Sequence, residues 1–147
     1  MKLIFKNTDL NIELHPSNNN IGLRENDYWY LVSLCVKNDE YNYEINKEIL
    51  TNNEINNTID ILEQYIDNKT NIKEIKYITN YIKFKLLGNK NLELTIIEKL
   101  SKSSKKYSII LEEKEILELL DIMKKRWIIS PFFIYTKTLW YNKKQAR

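Results

Sequence analysis

The chain has 147 residues, a formal net charge of +3, one cysteine and one histidine. A chain of this length can bury a core that needs neither a disulfide nor a structural metal, so a single domain spanning residues 1–147 is predicted. One cysteine excludes an intramolecular disulfide, and no apolar run reaches the roughly 20 residues of a membrane span. With no charged and then apolar segment at its start, the chain is expected to be cytoplasmic.

The first 36 residues predict three strands. Apolar and polar residues alternate over residues 3–5 and again over 10–14, with a turn at Asn7 to Asp9 between them, which is typical of a hairpin. Residues 15–26 are polar and have no periodicity, which predicts a loop. From Tyr28 to Val36 both alternating sets of positions are apolar, so a central strand covered on both faces is expected.

The acidic charge is concentrated in residues 38–67, which hold eight acids and one base. This segment begins with a tyrosine-rich alternation over residues 41–45, which predicts a half-exposed antiparallel strand. A helix is predicted next, because Thr51 and Glu54 stand at the capping-box spacing, at which each side chain satisfies a backbone N–H of the other residue.

The apolar residues of this first helix recur every three or four positions. They are expected to form one buried stripe, consisting of Ile55, Ile59, Leu62 and Ile66. The same spacing places Asp60, Glu63 and Asp67 toward water. Acidity is therefore the predicted surface property of this helix.

Three further strands are predicted at Ile75 to Leu87, Asn91 to Leu100 and Lys105 to Glu112, with a Gly88-Asn89 turn joining the first two. The inner face of the first of them is assigned to Ile78, Ile82, Phe84 and Leu86. A second helix is predicted at about Glu113 to Trp127. Its buried stripe is assigned to Ile116, Leu119, Leu120, Met123 and Trp127.

These elements predict an α+β fold, an antiparallel sheet of about six strands with two helices packed on one face. The core is assigned to residues 1–126. Pro131 ends any continuation of the second helix, so residues 127–147 are interpreted as a basic, aromatic C-terminal extension with a last extended segment.

The side chains that usually carry catalysis are few. His15 is expected to be a loop residue, and Cys35 a small buried hydrophobic residue in an apolar strand. The acids at 112–115 stand where a second helix would begin, and a helix start favours acids. One cysteine and one histidine cannot form a usual structural zinc site, and two glycines exclude a phosphate-cradling loop. A non-enzyme with no metal and no cofactor is predicted.

Nucleic-acid binding is one hypothesis for the C-terminal segment. Residues 124–147 hold seven bases, six aromatic residues and no acid, and single strands stack on aromatic residues among cations. The residues assigned to this function are Lys124, Lys125, Arg126, Trp140, Lys143 and Lys144. In two competing interpretations the aromatic residues belong to the core, or the basic tail folds against the acidic helix.

Protein binding is the other hypothesis. Aromatic anchors among acids suit a basic protein partner, with charge steering the association. The residues assigned to this interface are Glu40, Tyr41, Tyr43, Glu44, Asp60, Glu63 and Asp67. The competing interpretation is that the acidic helix is only a solvated face.

The order of elements resembles that of the WapI-like bacterial immunity proteins of polymorphic toxin systems. The resemblance covers about residues 27 to 124 and is carried by four stretches, "DYWYLVSLCV", "YNYEI", "LTNNEI" and "LEEKEILELLDIMK". The closest positional matches are Trp29, Leu50, Thr51 and Glu54, which have structural roles. The resemblance implies a non-catalytic inhibitor that binds a cognate toxin domain, one expected to be basic because many such toxins act on nucleic acids.

Overall fold

The computed structural model describes residues 2–3, 8–39 and 42–126, and its fold is α+β with antiparallel strands and two helices. The described strands are β1 (Lys2–Leu3), β2 (Thr8–Pro16), β3 (Trp29–Lys37), β4 (Asn42–Thr51), β5 (Glu74–Lys76), β6 (Ile82–Gly88), β7 (Asn91–Lys99) and β8 (Ser104–Leu111). The helices are α1 (Asn52–Ile66) and α2 (Glu113–Lys124). A 3₁₀ turn, Glu25–Asp27, precedes β3. The predicted last segment at 132–141 lies outside the described residues.

The first sheet has the order β1-β2-β3-β4, in which every pair is antiparallel. Strict alternation in β2 buries Leu10, Ile12 and Leu14 and leaves the residues between them outside, as the sequence pattern predicted. The central position of β3 is confirmed. The expectation that β3 is covered on both faces is corrected. The alternate residues that include Trp29 and Cys35 face outward and are only half-buried.

The loop after β2 is held by one buried amide. Asn20 donates from Nδ2 to the carbonyl oxygen of Trp29 (3.0 Å) and accepts from the Trp29 N–H at Oδ1 (2.8 Å), so its side chain replaces a strand partner at the start of β3. His15 belongs to β2 and pairs with Leu31, which corrects its assignment to the loop. The predicted alternation of apolar residues continues two positions further than expected, to Pro16.

The second sheet has the order β5-β6-β7-β8 and is also antiparallel throughout. The single strand predicted from Ile75 to Leu87 is divided into β5 and β6 by a turn in which Asn80 has a φ of 59°. This division corrects the position of Ile78, which was assigned to the inner face and is 78% exposed. Gly88, with a φ of 95°, begins the turn into β7 as predicted.

The one sheet of about six strands is therefore corrected to two sheets of four described strands each. Their inner faces share one hydrophobic core with both helices. The sheets meet where Tyr43 of β4 stacks on Tyr107 of β8, with ring centroids 5.2 Å apart, and where the Thr79 hydroxyl donates to the Ile49 carbonyl (3.0 Å). Alternation along a strand identifies its buried face but not its neighbours, so the sequence pattern could not separate the two sheets.

Helix α1 begins at the predicted capping box. The Glu54 N–H donates to Thr51 Oγ1 (3.1 Å), and Glu54 Oε1 accepts from the Thr51 N–H (3.0 Å). Of the predicted stripe, the residues Ile55 and Leu62 are fully buried, whereas the remaining two are partly buried. The centre of the buried face includes Tyr65 instead, so the face is rotated slightly from the predicted one.

Two hydroxyl groups of α1, those of Tyr65 and Thr58, form hydrogen bonds to the second sheet and to the residue that follows β5. The Tyr65 hydroxyl donates to the Asn91 carbonyl (2.6 Å) and accepts from the Gly88 N–H (2.7 Å), so it satisfies both sides of the β6–β7 turn. The Thr58 hydroxyl donates to the Glu54 carbonyl (2.8 Å), and the Tyr77 hydroxyl lies 2.7 Å from it. Since Thr58 has only one proton to donate, Tyr77 is the donor in that second bond.

We expect Tyr77 to make the protein less stable in alkali. Burial raises the pKa of Tyr77 far above its ordinary value of 10.0. The folded protein therefore holds the hydroxyl proton of Tyr77 more tightly than the unfolded chain does. The contribution of Tyr77 to stability is fully present below pH 10 and is lost as the pH rises above it. Urea unfolding at pH 8 and pH 11 measures the loss. A Tyr77→Phe variant should lose less stability between these pH values than the wild type; an equal loss in both would contradict the assignment.

Helix α2 packs against α1 and contacts β2 of the first sheet and β8 of the second. Its predicted stripe is buried at Ile116, Leu119, Leu120 and Met123, whereas Trp127 lies outside the described residues. The predicted start at Glu113 is confirmed, and the Glu112 N–H donates to Glu115 Oε1 (3.1 Å) there. The acids at 112–115 therefore lie at the helix start, as their interpretation required.

Candidate protein-binding site

The predicted acidic face of α1 is exposed. Asp60, Glu63 and Asp67 recur at three and four residues, and all three side chains are solvent-exposed, as expected. Glu63 lies in the last turn of the helix and Asp67 is its C-cap residue. The last turn of α1 contains no basic residue. Carboxylates at this end oppose the helix dipole by about 0.3–1 kcal/mol each. The stability of α1 thus does not explain their position.

An open depression of about 260 Å³ separates α1 from α2. It is lined by Glu63, Ile66 and Asp67 of α1 and by Leu117, Leu120, Asp121 and Lys124 of α2. We call this depression the interhelix groove. Leu117 is 48% exposed, whereas Leu120 is almost completely buried and belongs to the core. The interhelix groove therefore combines apolar side chains with a rim of three carboxylates.

Two lysines at the end of α2 pair with these carboxylates. Lys124 Nζ lies 2.5 Å from Glu63 Oε2, and Lys125 Nζ lies 3.1 Å from Asp121 Oδ1. All four side chains are 45–67% exposed, so each ion pair contributes at most about 1 kcal/mol and is readily exchanged for another partner. Because Asp60 and Asp67 add two further charges, the surface remains negative.

The remaining residues of the predicted protein interface lie elsewhere. Glu44 is on the outer face of the first sheet, opposite Cys35, whereas its neighbour Ile45 points into the core that α1 covers. Tyr43 is partly buried against Tyr107, and desolvation raises its pKa. Neither lies beside the acidic face of α1, which corrects the prediction of one continuous surface.

Glu40 and Tyr41, which were assigned to the same interface, lie outside the described residues.

The predicted nucleic-acid site loses one of its described residues. Arg126 is 4% exposed, and its guanidinium donates to Asn52 Oδ1 from Nε (3.1 Å) and Nη2 (2.7 Å). It also donates to Asn56 Oδ1 (2.7 Å) and to the Met123 carbonyl (2.8 Å). A guanidinium held this way cannot reach a phosphate, so its assignment to nucleic-acid binding is corrected. Lys124 and Lys125 are exposed but paired, and Trp140, Lys143 and Lys144 lie outside the described residues.

The side chains that could carry catalysis are dispersed. His15 Nε2 lies 3.2 Å from Glu13 Oε1 on the outer face of the first sheet. Cys35 lies on that face too, half-buried and not in the core, and desolvation together with Glu44 raises its pKa. Within residues 8–39 and 42–126, no three histidine, cysteine or acidic side chains are grouped as metal ligands would be.

Sequence reasoning missed the contribution of α2 to the site. Leu117 and Asp121 were not assigned to any surface, although they stand four residues apart and next to the buried positions Ile116 and Leu120. Such a pair lies on one helix face at the margin of the buried stripe. This spacing could have identified the face, but only the packing of α2 on α1 places it beside Glu63.

No protein-family model matches the chain, and the searches of curated proteins and of solved structures gave no significant match. None of the helices in the described part of the chain is both long and apolar enough to cross a membrane.

Proposed function

We propose that this protein is a non-catalytic, immunity-type inhibitor that binds a basic cognate toxin domain through the interhelix groove and the acidic face of α1. The observation that carries the proposal is the position of Glu63 and Asp67 at the C-terminal end of α1, beside exposed Leu117. Lys124 already pairs with Glu63, so Asp67, which has no ion pair within the described residues, is the carboxylate that a ligand of opposite charge would explain.

The chemistry of the groove favours a particular partner surface. Its apolar lining is provided by Ile66, Leu117 and Leu120, and its rim by Glu63, Asp67 and Asp121. Apolar anchors flanked by lysine or arginine would fill the depression and exchange the internal ion pair of Lys124 for an intermolecular one. A basic amphipathic helix on the partner has this arrangement.

The resemblance to WapI-like immunity proteins supports the same proposal. It implies a non-catalytic inhibitor of a cognate toxin domain, and the stretches that carry it include both elements of the groove, α1 with its capping box and α2. Under this proposal the residues that bind the partner are Asp60, Glu63, Asp67, Leu117 and Asp121.

Co-expression tests this proposal directly. The partner to be tested is a toxin-like protein encoded next to the gene for this chain, and the readouts are co-elution on size exclusion and rescue of growth. A 1:1 complex with rescue is the expected result. If the toxin remains active and the two proteins elute separately, the immunity function is wrong.

A pair of arginine substitutions locates the interface within that complex. Leu117→Arg should lower the affinity at least tenfold, since the guanidinium would occupy the interhelix groove beside its own carboxylates. Leu87→Arg is the matched control, because Leu87 is 45% exposed at the end of β6 on the second sheet. Equal affinities for the two variants would show that the complex forms through another surface.

A further inference from the structure

Three tyrosines lie where the two sheets meet. Tyr43 of β4 and Tyr107 of β8 are stacked with an interplanar angle of 20°, and Tyr81 precedes β6. All three are partly buried against the core, and Tyr81 and Tyr107 are close enough to Tyr43 to help raise its pKa. We call these residues the tyrosine seam.

Lysines converge on the tyrosine seam. Lys99 Nζ lies 4.0 Å and Lys47 Nζ 5.1 Å from the centroid of the Tyr81 ring, so the two ammonium groups are at most about 9 Å apart. Lys47 also donates to the Tyr81 hydroxyl (3.3 Å), and Lys105 lies 6.0 Å from the Tyr107 ring centroid. Two cations at this separation can bind neighbouring phosphates of one strand with small side-chain movements.

Neither Lys47 nor Lys99 forms an ion pair with an acid in the described part of the chain. Lys99 donates to the Thr79 carbonyl (2.6 Å), which fixes its position but does not neutralise it. The nearby carboxylate of Glu98 accepts from the Tyr107 hydroxyl (3.2 Å). This hydrogen bond does not neutralise Glu98, so the three lysines and this carboxylate leave a net charge of +2 at the tyrosine seam, which favours an anion.

The tyrosine seam and the interhelix groove lie at opposite ends of the second sheet. Tyr65 of α1 binds the carbonyl of Asn91, where β7 begins, and Lys99 ends the same strand. Nine residues of β-strand span about 26 Å. Ligands of opposite charge can therefore occupy the two surfaces independently.

We propose that the tyrosine seam binds single-stranded nucleic acid, with bases stacking on the tyrosine rings and Lys47, Lys99 and Lys105 contacting the backbone. Aromatic rings beside lysines are the combination that such ligands require, and Lys47 and Lys99 have no ion pair with a described acid. A single strand fits and a duplex does not, because the rings are recessed between two sheets and only unpaired bases can be inserted there. This surface is distinct from the C-terminal segment to which sequence analysis assigned nucleic-acid binding.

The proposal is tested by fluorescence anisotropy. The full chain is titrated against a labelled 12-nucleotide single strand at several salt concentrations. Lys47→Ala/Lys99→Ala should weaken binding at least tenfold and lower the slope of log affinity against log salt by about 1.4, since each phosphate contact contributes about 0.7. Tyr81→Leu should weaken binding roughly tenfold, whereas Tyr81→Phe retains the ring and should bind nearly as the wild type does.

Lys76→Ala/Lys85→Ala is the matched control, because both lysines are exposed on the outer face of the second sheet. An equal loss in the control pair would show diffuse attraction and overturn the proposal, as would equal affinity for duplex or no binding at 50 mM salt. Leu117→Arg should bind the oligonucleotide as the wild type does, so failure of the immunity function and failure of the tyrosine seam are distinguishable.

Discussion

Replacing Arg126 by alanine is expected to lower the free energy of unfolding by about 2–4 kcal/mol. The guanidinium is buried and donates three hydrogen bonds to Asn52 and Asn56 at the start of α1 and one to the Met123 carbonyl in α2, so it joins the two helices. It also lies 5.6 Å from the ring centroid of Tyr30, in the central strand of the first sheet. The substitution would remove contacts to two elements at once and leave the Asn52 side chain, itself 3% exposed, without this donor.

Urea unfolding of the wild type and four variants measures this effect: Arg126→Ala, Arg126→Lys, Asn52→Ala and the double mutant Arg126→Ala/Asn52→Ala. Arg126→Lys should recover little of the loss, because one ammonium cannot reproduce the planar fork that bonds Asn52 from both Nε and Nη2. A double-mutant cycle with Asn52→Ala should give a coupling energy of about 0.5–3 kcal/mol. A loss below about 0.5 kcal/mol for Arg126→Ala would mean that the buried contacts are not important for stability.

Reversing the charge of Asp60, Glu63 and Asp67 to lysine is expected to slow association with a basic partner by tenfold or more at low salt. Opposite charge accelerates diffusional encounter by about 10–10³-fold, and the triple variant would replace that attraction with repulsion. The fall of the association rate with salt should also shrink or reverse, because screening would then weaken a repulsion instead of an attraction. Stopped-flow or surface plasmon resonance at 25 and 200 mM salt measures both effects.

The matched control reverses Asp9, Glu13 and Glu93, which lie on the outer faces of the two sheets. Both triple variants gain the same net charge, so a difference between their association rates reports the location of the charges. If both slow association equally, the effect belongs to the net charge of the molecule, and the acidic face of α1 is only solvated.

Local features of the fold could be predicted because neighbouring residues determine them. The capping box of Thr51 and Glu54 established where α1 begins, and alternation established the buried face of β2. The division between β5 and β6 was missed because Ile78 continues the apolar alternation, although its side chain is exposed. A turn residue with positive φ, Asn80, overrides the pattern there.

The candidate sites depend on packing between distant elements, and residue type alone could not predict them. Arg126 follows two exposed lysines in sequence, and nothing in its residue type distinguishes it from them. Its side chain is nevertheless buried and hydrogen-bonds to Asn52, 74 residues away. Tyr43 was interpreted as an aromatic anchor, but the fold places it against Tyr107, 64 positions later in the chain. The acidity of α1 was predictable because it requires only helical periodicity.

Both sheets consist entirely of strands that are neighbours in sequence, which sets the order in which a nascent chain can fold. The first sheet can pair once Thr51 has emerged from the ribosome, but the second is complete only at Leu111. At synthesis rates of about 5–20 residues per second, α1 would follow the first sheet within about 1–3 s, whereas the second sheet would be complete only after roughly 3–12 s. Until then the apolar face that contains Leu10, Leu14 and Val32 is only partly covered, so we expect this stage of synthesis to be the one most prone to aggregation.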